Sequence, residues 1–524
     1  MQAHVVVVGG GPVGMLVAAE LAAYGVDTVL FEPQDRVSEW PKSNTLHARA
    51  VQSLARRGHL PAAASRPAGS AGAVSPFHFA GLPGLLIEVP ETEPRPILKC
   101  PQSKLERRFE KRARAAGARI LRGHRVTDLA QDADGVTVTA EGSQGPVTCT
   151  ARYAVGADGS RSTVRELAGI AFDTQPATVT ALMGTVTLTG PGALSEGSLR
   201  TDRGWIGAKR APDGGMHIRT LDCAGAHADR QLPPTLEELR REVSRIAGHE
   251  VAMEEPRWLS RFSDVVRLAR TFREGRVFLA GDAAHVHFPI GGQGFSTGVL
   301  DALNLSWKLA LAVHGRAATE LLDTYDSERR PAAERVVENT LAQLALMRQG
   351  PEPDALRALF TEVLAVDGGR RLLSGMISAQ DTVLSADPAR PSPGAGTFLR
   401  NAALHTEAGE TDVIRLLRDG RPLLLLLGEQ GAAFEDEARS WEGTLYVVRA
   451  LRTPDVPYDA VLVRPDGYIA WTPGATDLSA ALSAYVVDDV RGGGGGSLAG
   501  AAGAAGQPVL LTSSCSSAAL SASA

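Results

Sequence analysis

The valine-dominated run from His4 to Val8 passes directly into Gly9-Gly10-Gly11-Pro12-Val13-Gly14, and from Met15 to Tyr24 apolar residues recur at helical spacing. The order is strand, tight turn, helix. Thr28 to Phe31 adds a second short apolar run, and a β-α-β unit of this length requires a right-handed crossover between parallel strands. The chain therefore opens as a doubly wound α/β domain. In Gly9-x-Gly11-x-x-Gly14 the first glycine allows the tight turn, the second lets a pyrophosphate approach the backbone, and the third lets the helix pack closely, with its N-terminus facing the anion. Glu32 ends the next strand at about the ~20-residue spacing at which a carboxylate meets a ribose hydroxyl. An acid there suits the free adenosine ribose of FAD or NAD rather than a 2′-phosphate, and the residues leave both dinucleotides open.

A chain of 524 residues holds two to four domains, and its balance of 54 Lys plus Arg against 59 Asp plus Glu, a net charge of −5, provides no basic excess for nucleic acid. Cys100, Cys149, Cys223 and Cys515 make neither C-x-x-C nor a metal spacing, so no disulfide framework or zinc module is expected. The N-terminus lacks a secretory pattern and its apolar stretch is broken by Gly9 to Pro12, which predicts a cytoplasmic protein with no membrane span.

Further along, Gln102 to Ala116 reads as a charged amphipathic helix, Arg119 to Arg122 as a strand, Val136 to Ala140 as part of an antiparallel hairpin, and Ala151 to Ala157 as a buried strand. Thr- and Val-rich alternation from Thr178 to Cys223 predicts a mostly antiparallel sheet inserted into the first domain. Arg276 to Ala280 is another buried strand and Phe295 to Val313 a helix, so Gly281 to Gly294 is a strand-to-helix loop. A linker is expected at Pro388 to Pro393, then a third domain from about Gly396. Its signals are an Arg421-to-Leu427 strand, a helix from Ala432 to Ser440, a Leu445-to-Arg449 strand, and a hairpin from Asp459 to Trp471 turning at Pro465-Asp466-Gly467. The Gly-, Ala- and Ser-rich segment from Arg491 is expected to be flexible, and its removal at Val490 to leave cofactor binding intact.

Asp158-Gly159 and Gly281-Asp282 each follow a buried strand, at the strand ends where α/β folds place ligands. Pro289-Ile290-Gly291-Gly292-Gln293-Gly294 leads into a helix, so its backbone N–H groups suit an electron-rich ring edge or an oxyanion. His285 and His287 have no further candidate metal ligand, and a structural or substrate-lining role is the reading adopted; no metal is assigned.

These three motifs, Gly9 to Gly14 with Glu32, Gly156-Ala157-Asp158-Gly159-Ser160-Arg161-Ser162, and Gly281-Asp282-Ala283-Ala284-His285 followed by Pro289-x-Gly291-Gly292-Gln293-Gly294, together resemble the single-component FAD-dependent aromatic hydroxylases of the aromatic polyketide and rifamycin type. Arg464-Pro465-Asp466-Gly467-x-x-Ala470-Trp471 is similar to their C-terminal thioredoxin-like domain, here without C-x-x-C and so without an expected thiol redox role. The resemblance implies an FAD-binding Rossmann-like domain of glutathione-reductase type over residues 1–175 and 266–390, the latter including linking helices. It further implies a substrate domain over 176–265, a thioredoxin-like domain over 396–490 and a tail over 491–524.

By the same resemblance Gly9, Gly11 and Gly14 hold the FAD pyrophosphate, Glu32 the ribose, Gln102 another part of the FAD, and Val126 the adenine through its backbone. Asp282 binds the ribityl chain, and Pro289, Gly292, Gln293 and Gly294 line the isoalloxazine. Asp158 and Gly159 support both FAD and the reduced nicotinamide. Lys42 stands where the family more often has Arg, keeping charge without a bidentate fork, and Phe295-Ser296 replaces the usual aliphatic-Asn pair. The implied chemistry is reduction of FAD by NADPH or NADH, formation of a flavin hydroperoxide from dioxygen, and oxygen transfer to a polycyclic aromatic polyketide by a monomer or homodimer. Trp205, Met216, His217 and Arg219 are the candidate substrate-lining residues, although strand alternation puts only one face at a pocket. No catalytic base is assigned. Baeyer–Villiger insertion, rifamycin-type oxygenation, a dehydrogenase or reductase without oxygen transfer, and a protein that keeps FAD structurally are the alternatives.

Overall fold

The computed structural model describes residues 1–40, 42–211, 214–223, 225, 232–384, 392–439, 441 and 443–486. The tail from Arg491 and most of the Pro388-to-Pro393 stretch lie outside the described residues.

Val5–Val8 lies inside a six-stranded sheet, between Thr28–Glu32 and Tyr153–Gly156, both parallel to it. Arg119–Arg122 and Val277–Leu279 continue the parallel pairing outward on the two sides, and Arg273–Glu274 closes one edge antiparallel. All four valines are buried, as a parallel strand covered on both faces requires. Pro12 opens the helix Pro12–Ala23, where its missing N–H is no loss.

The reading of Ala151 to Ala157 as one strand is corrected at Arg152. Gly145–Ala151 belongs to an antiparallel sheet with Val136–Gly142 and Arg125–Gln131, whereas Tyr153–Gly156 joins the parallel sheet. The Arg152 guanidinium donates to Val313 O at 2.5 Å and Ala312 O at 3.2 Å, satisfying final carbonyls of the helix Gly294–Val313 that have no partner within it.

The second sheet runs Gly197–Thr201, Gly204–Arg210, Met216–Leu221, Thr180–Thr189, Ala252–Ser263, all antiparallel. It extends past the expected Cys223 limit, because Ala252–Ser263 returns to pair along Thr180–Thr189. Between them the helix Leu236–Ala247 is capped by Thr235, whose hydroxyl accepts from Glu238 N at 3.1 Å, and stops at Gly248 with φ +83. Leu239, Val243 and Ile246 of this helix cover one face of the sheet. A separate core joins the sheet to the Val74–Phe79/Leu82–Glu88 hairpin and to Phe288 and Ile290 of the loop before the long helix.

The C-terminal unit is a four-stranded sheet ordered Tyr446–Ala450, Leu423–Leu427, Ala460–Val463, Ile469–Trp471, the first pair parallel and the others antiparallel. The leucine run is buried on both faces: Leu423, Leu425 and Leu427 enter one core, Leu424 and Leu426 another. The expected Ala432-to-Ser440 helix is three short turns starting earlier, Gly428–Gly431, Ala432–Phe434 and Glu435–Arg439, with Ser440 outside the described residues.

Candidate functional site

Parallel register brings the motifs together. Val8 lies opposite both Phe31 and Gly156, and Gly156 opposite Leu279, so the segments starting at Gly9, Glu32, Asp158 and Gly281 leave one sheet edge side by side. At the glycine turn a Cβ on Gly14 would lie 1.9 Å from Gly9 O, and one on Gly9, at φ +100, 2.4 Å from Ala157 O. A Cβ on Gly11 would meet nothing within 4 Å. The turn is packed behind and open in front, at the N-terminus of a 12-residue helix, the cradle that a pyrophosphate needs.

Glu32 is buried, its two carboxylate oxygens accepting from Gly10 N at 2.5 Å and Gln34 N at 2.8 Å, which fixes the side chain beside the turn. Glu106, on the helix Gln102–Ala115, is pushed up to about 7 by burial, with Arg122 opposing and the nearby Glu32 charge adding to the rise. Lys42 is exposed, and its charge opposes the rise of both Glu106 and Asp282. Gln102 opens its helix with its N–H donating to Ser43 O at 3.0 Å. Val126 sits beside a bulge, where the register shifts between Val126 and Asp128.

The Asp158 carboxylate accepts from Ser162 Oγ at 2.5 Å and Val164 N at 3.1 Å, while Ser162 Oγ caps the following short helix at Arg165 N. Its side chain holds the turn; Gly159, at φ +83, has open space at its Cβ position. Asp282 is exposed to water yet surrounded by protein, which raises its carboxyl against the opposing charges of His285 and Lys42. His285 turns inward, with Nε2 2.7 Å from Asp301 Oδ2, while Asp301 Oδ1 accepts from Arg329 at 2.8 Å. Asp301 also accepts from Gly281 N at 3.1 Å, so this buried group fixes the Gly281-Asp282 turn, a structural role for His285.

Pro289 is exposed, and Gly291 and Gly292 adopt φ +70 and +63, bending the loop onto the N-terminus of the 20-residue helix Gly294–Val313. His47, unnoticed in the sequence, braces this bend: its Nε2–H donates to Gly291 O at 2.7 Å and its N–H to Ser296 Oγ at 3.0 Å. Burial pushes His47 down to about 4, keeping it neutral near pH 7. Gln293 is buried, its side-chain amide donating to Asn339 Oδ1 at 2.8 Å and its backbone carbonyl accepting from Thr297 N at 3.0 Å. Phe295 packs partly buried against the main core, and a Cβ on Gly294 would come within 3.1 Å of His287 Nε2.

Of the four sheet residues, Met216 is corrected: it faces the helix Leu236–Ala247 with Ile206, Ala208 and Ile218, 7% exposed, because alternation assigns it to the covered face. His217, Arg219 and Trp205 occupy the other face. Arg219 Nε donates to His217 Nε2 at 3.1 Å, and the His217 ring lies 5.4 Å from that of Trp258. Trp205 donates to Ser198 Oγ at 2.5 Å and its ring overlies Gly207, where a Cβ would be 2.4 Å from it. Lys99, Lys209, Phe77 and His78 of the same cleft escaped notice because three separate segments supply them. Among the described residues no cluster of three His, Cys, Asp or Glu side chains could hold a metal, and no helix is long and apolar enough to cross a membrane.

Residues 2–340 match the family model described as an FAD binding domain, and residues 392–487 the model described as aromatic-ring hydroxylase, C-terminal. The chain belongs to this family of FAD-dependent aromatic-ring monooxygenases. Similar members include the rifampicin monooxygenase of Streptomyces venezuelae, 39% identical over 89% of this chain and 95% of the relative. The solved anhydrotetracycline hydroxylase from Streptomyces rimosus superposes with a TM-score of 0.83 at 36% identity, covering 93% of this chain and 99% of that one. A dialkyldecalin synthase of Streptomyces rugosporus is also similar, 37% identical over 93% of this chain and 99% of the relative. FAD is the cofactor of this monooxygenase family, and the open space in front of Gly11 at a helix N-terminus fits a group with a pyrophosphate.

Proposed function

We propose that this monooxygenase, as a monomer or homodimer reduced by NADPH or NADH, hydroxylates a polycyclic aromatic polyketide intermediate in antibiotic biosynthesis. The observation carrying this reading is that the glycine turn, open only at Gly11, shares one sheet edge with Asp282, next to the bent Pro289-to-Gly294 loop. The names of the rifampicin and anhydrotetracycline relatives support the substrate class. Gly9, Gly11 and Gly14 would hold the FAD pyrophosphate with Lys42 nearby, Glu32 the ribose, and Gln102 and Val126 the adenosine side. Asp282 would hold the ribityl chain, with Asp158 and Gly159 maintaining the adjoining turn. The backbone of Pro289, Gly292, Gln293 and Gly294, with Phe295 behind it, would meet the ring system.

Once reduced, FAD supplies the activation of dioxygen. The chain's own residues orient: His47 and Ser296 fix the bend, Asp301 fixes Gly281-Asp282, and the sheet face carrying Trp205, His217 and Arg219 positions the aromatic ring and limits water. The proposed domains are residues 1–175 with 266–390, 176–265 and 396–490; in support, among the described residues each sheet keeps to one of these domains, and the β-order of the last one supports a thioredoxin-like reading.

The test is an absorbance spectrum followed by anaerobic NADPH reduction with and without polycyclic phenols. Bound FAD whose reduction one phenol accelerates, with label from 18O-dioxygen in the product, supports the proposal; no flavin after reconstitution rejects it. The synthase relative favours a second reading, FAD held without oxygenation, which product formation without the label would select. Ring-inserted oxygen would identify Baeyer–Villiger chemistry instead.

A further inference from the structure

Lys99, Lys209 and Arg219 converge on one cleft from three strands. Lys209 lies opposite His217 and Gly207 opposite Arg219 in the pairing of Gly204–Arg210 with Met216–Leu221, so Lys209 and Arg219 are diagonal neighbours on the uncovered face. Lys99 enters from the facing strand Ile97–Lys99, donating to Thr45 Oγ1 at 2.8 Å with its ammonium 5.8 Å from the Phe77 ring centroid. The cleft adjoins the loop bend, because Phe77 meets His47 edge-on at 5.1 Å and His47 holds Gly291 O. Arg219 and Lys209 act electrostatically on Lys99, and Lys99 and Arg219 act on His78.

None of the three cations forms an ion pair with a carboxylate among the described residues. This contrasts with Arg261, behind the same sheet region, paired to Glu238 at 2.5 Å, and with Arg245, paired to Asp222 at 2.9 Å. Arg219 is exposed to water yet ringed by protein, and its fixed partner is the ring nitrogen of His217, which keeps the guanidinium aimed without neutralising it. His217, pushed down to about 4 by burial and then by Arg219 and Lys209, adds no charge near neutrality. Flat rings line the cations: Trp258 beside His217, and Phe77 stacked on His78 at 4.7 Å.

We infer that this cleft selects aromatic substrates carrying an ionised carboxylate, which Lys99, Lys209 and Arg219 hold between the Phe77-His78 and Trp258 rings. The inference rests on the proposed function and names the charge of its substrate. Unpaired cations facing a cavity favour an anion by charge-assisted hydrogen bonds, and the flat walls favour a planar one over a free phosphate. The phosphates of the nicotinamide coenzyme share the anionic chemistry, so the test separates the two sources.

FAD-loaded full-length protein is titrated with 2-naphthol and with 3-hydroxy-2-naphthoate near neutral pH, reading the perturbation of bound-flavin absorbance. The naphthoate is expected to bind about 10-fold more tightly, with the advantage shrinking as salt is raised. Lys99→Met and Arg219→Met should each remove about 10-fold of naphthoate affinity while changing that for 2-naphthol by less than about 2-fold. Lys209→Gln, at an exposed position, gives the same comparison if either variant fails to fold. Equal binding of the pair, or equal weakening of both in the variants, overturns the inference and leaves the proposed function standing. It is overturned as well if the variants lose 2′-phospho-ADP-ribose instead of the naphthoate. Failure of the wild type to retain FAD, or of both compounds to perturb it, overturns inference and proposed function together.

Discussion

The contact between the C-terminal unit and the long helix, and the cleft in front of the loop, hold comparable numbers of charged groups arranged oppositely. At the contact, Arg464 donates to Glu328 at 2.6 and 2.8 Å and to Asp466 at 2.6 Å, Lys308 donates to Glu328 at 2.8 Å, and Asn304 joins Glu328 to Asp466. All are buried and each cation has an anion. In the cleft Lys99, Lys209 and Arg219 reach water and have none among the described residues. Charges taken out of water must find their partners in the fold, whereas charges left without partners at a cavity wait for a ligand.

The sharpest way to break this contrast is at the contact. Arg464→Met leaves Glu328 and Asp466 short of a cation, so unfolding by urea should become easier by about 3–5 kcal/mol; an unchanged midpoint would mean that the network contributes nothing. Glu20 belongs to a second such group, accepting from Arg57 at 2.9 Å with His59 at 2.5 Å, while Arg57 reaches Leu417 O and Arg418 O of the C-terminal unit. Burial alone would raise Glu20, but Arg57 and His59 lower it from 4.5 to about 2. A depressed carboxyl contributes stability above about pH 4.5 that is lost as pH falls toward 2, on the order of 3 kcal/mol. Glu20→Gln should flatten that acid limb of a stability-against-pH curve.

Within the cofactor cradle, Gly11 has φ −66 and ψ 178, a backbone that alanine adopts freely, and empty space ahead. Gly11→Ala should fold as well as the wild type yet bind FAD about 10-fold more weakly by equilibrium dialysis, the equivalent of about 1–3 kcal/mol of overpacking against the ligand. Unchanged affinity would move the pyrophosphate elsewhere. The smallest effect belongs to Arg219→Met: a stability change within about 0.5 kcal/mol in the same urea titration, because no buried partner is left behind. A loss as large as that of Arg464→Met would erase the distinction between the two regions.

The glycine turn was legible because its strand, turn and helix are consecutive in the chain, so local rules suffice. Ala252–Ser263 was not: Glu254, Glu255, Pro256 and Arg257 interrupt any strand pattern, and Glu255 takes φ +50. An edge position tolerates them, because only one side of that strand carries ladder bonds. The orientation of Met216 against His217 depended on a helix twenty residues later that covers one face of the sheet. Arg464-Pro465-Asp466-Gly467 was recognisable as a motif, but its buried partners Glu328 and Asn304 lie far off in sequence and no spacing announces them. The same holds for His47 beneath Gly291.

The helix Gly294–Val313 begins at the bent loop, passes Asn304, Trp307 and Lys308 against Asp466 and Glu328, and ends under Arg152. With 20 residues it is a strut of about 30 Å, clamped along its length at points supplied by distant parts of the chain. Loosening the C-terminal clamp would let the strut shift at its far end, where the flavin ring would rest. Escape of flavin fluorescence on heating should then coincide with detachment of the C-terminal unit, making the cofactor a built-in reporter of whether the two halves remain joined.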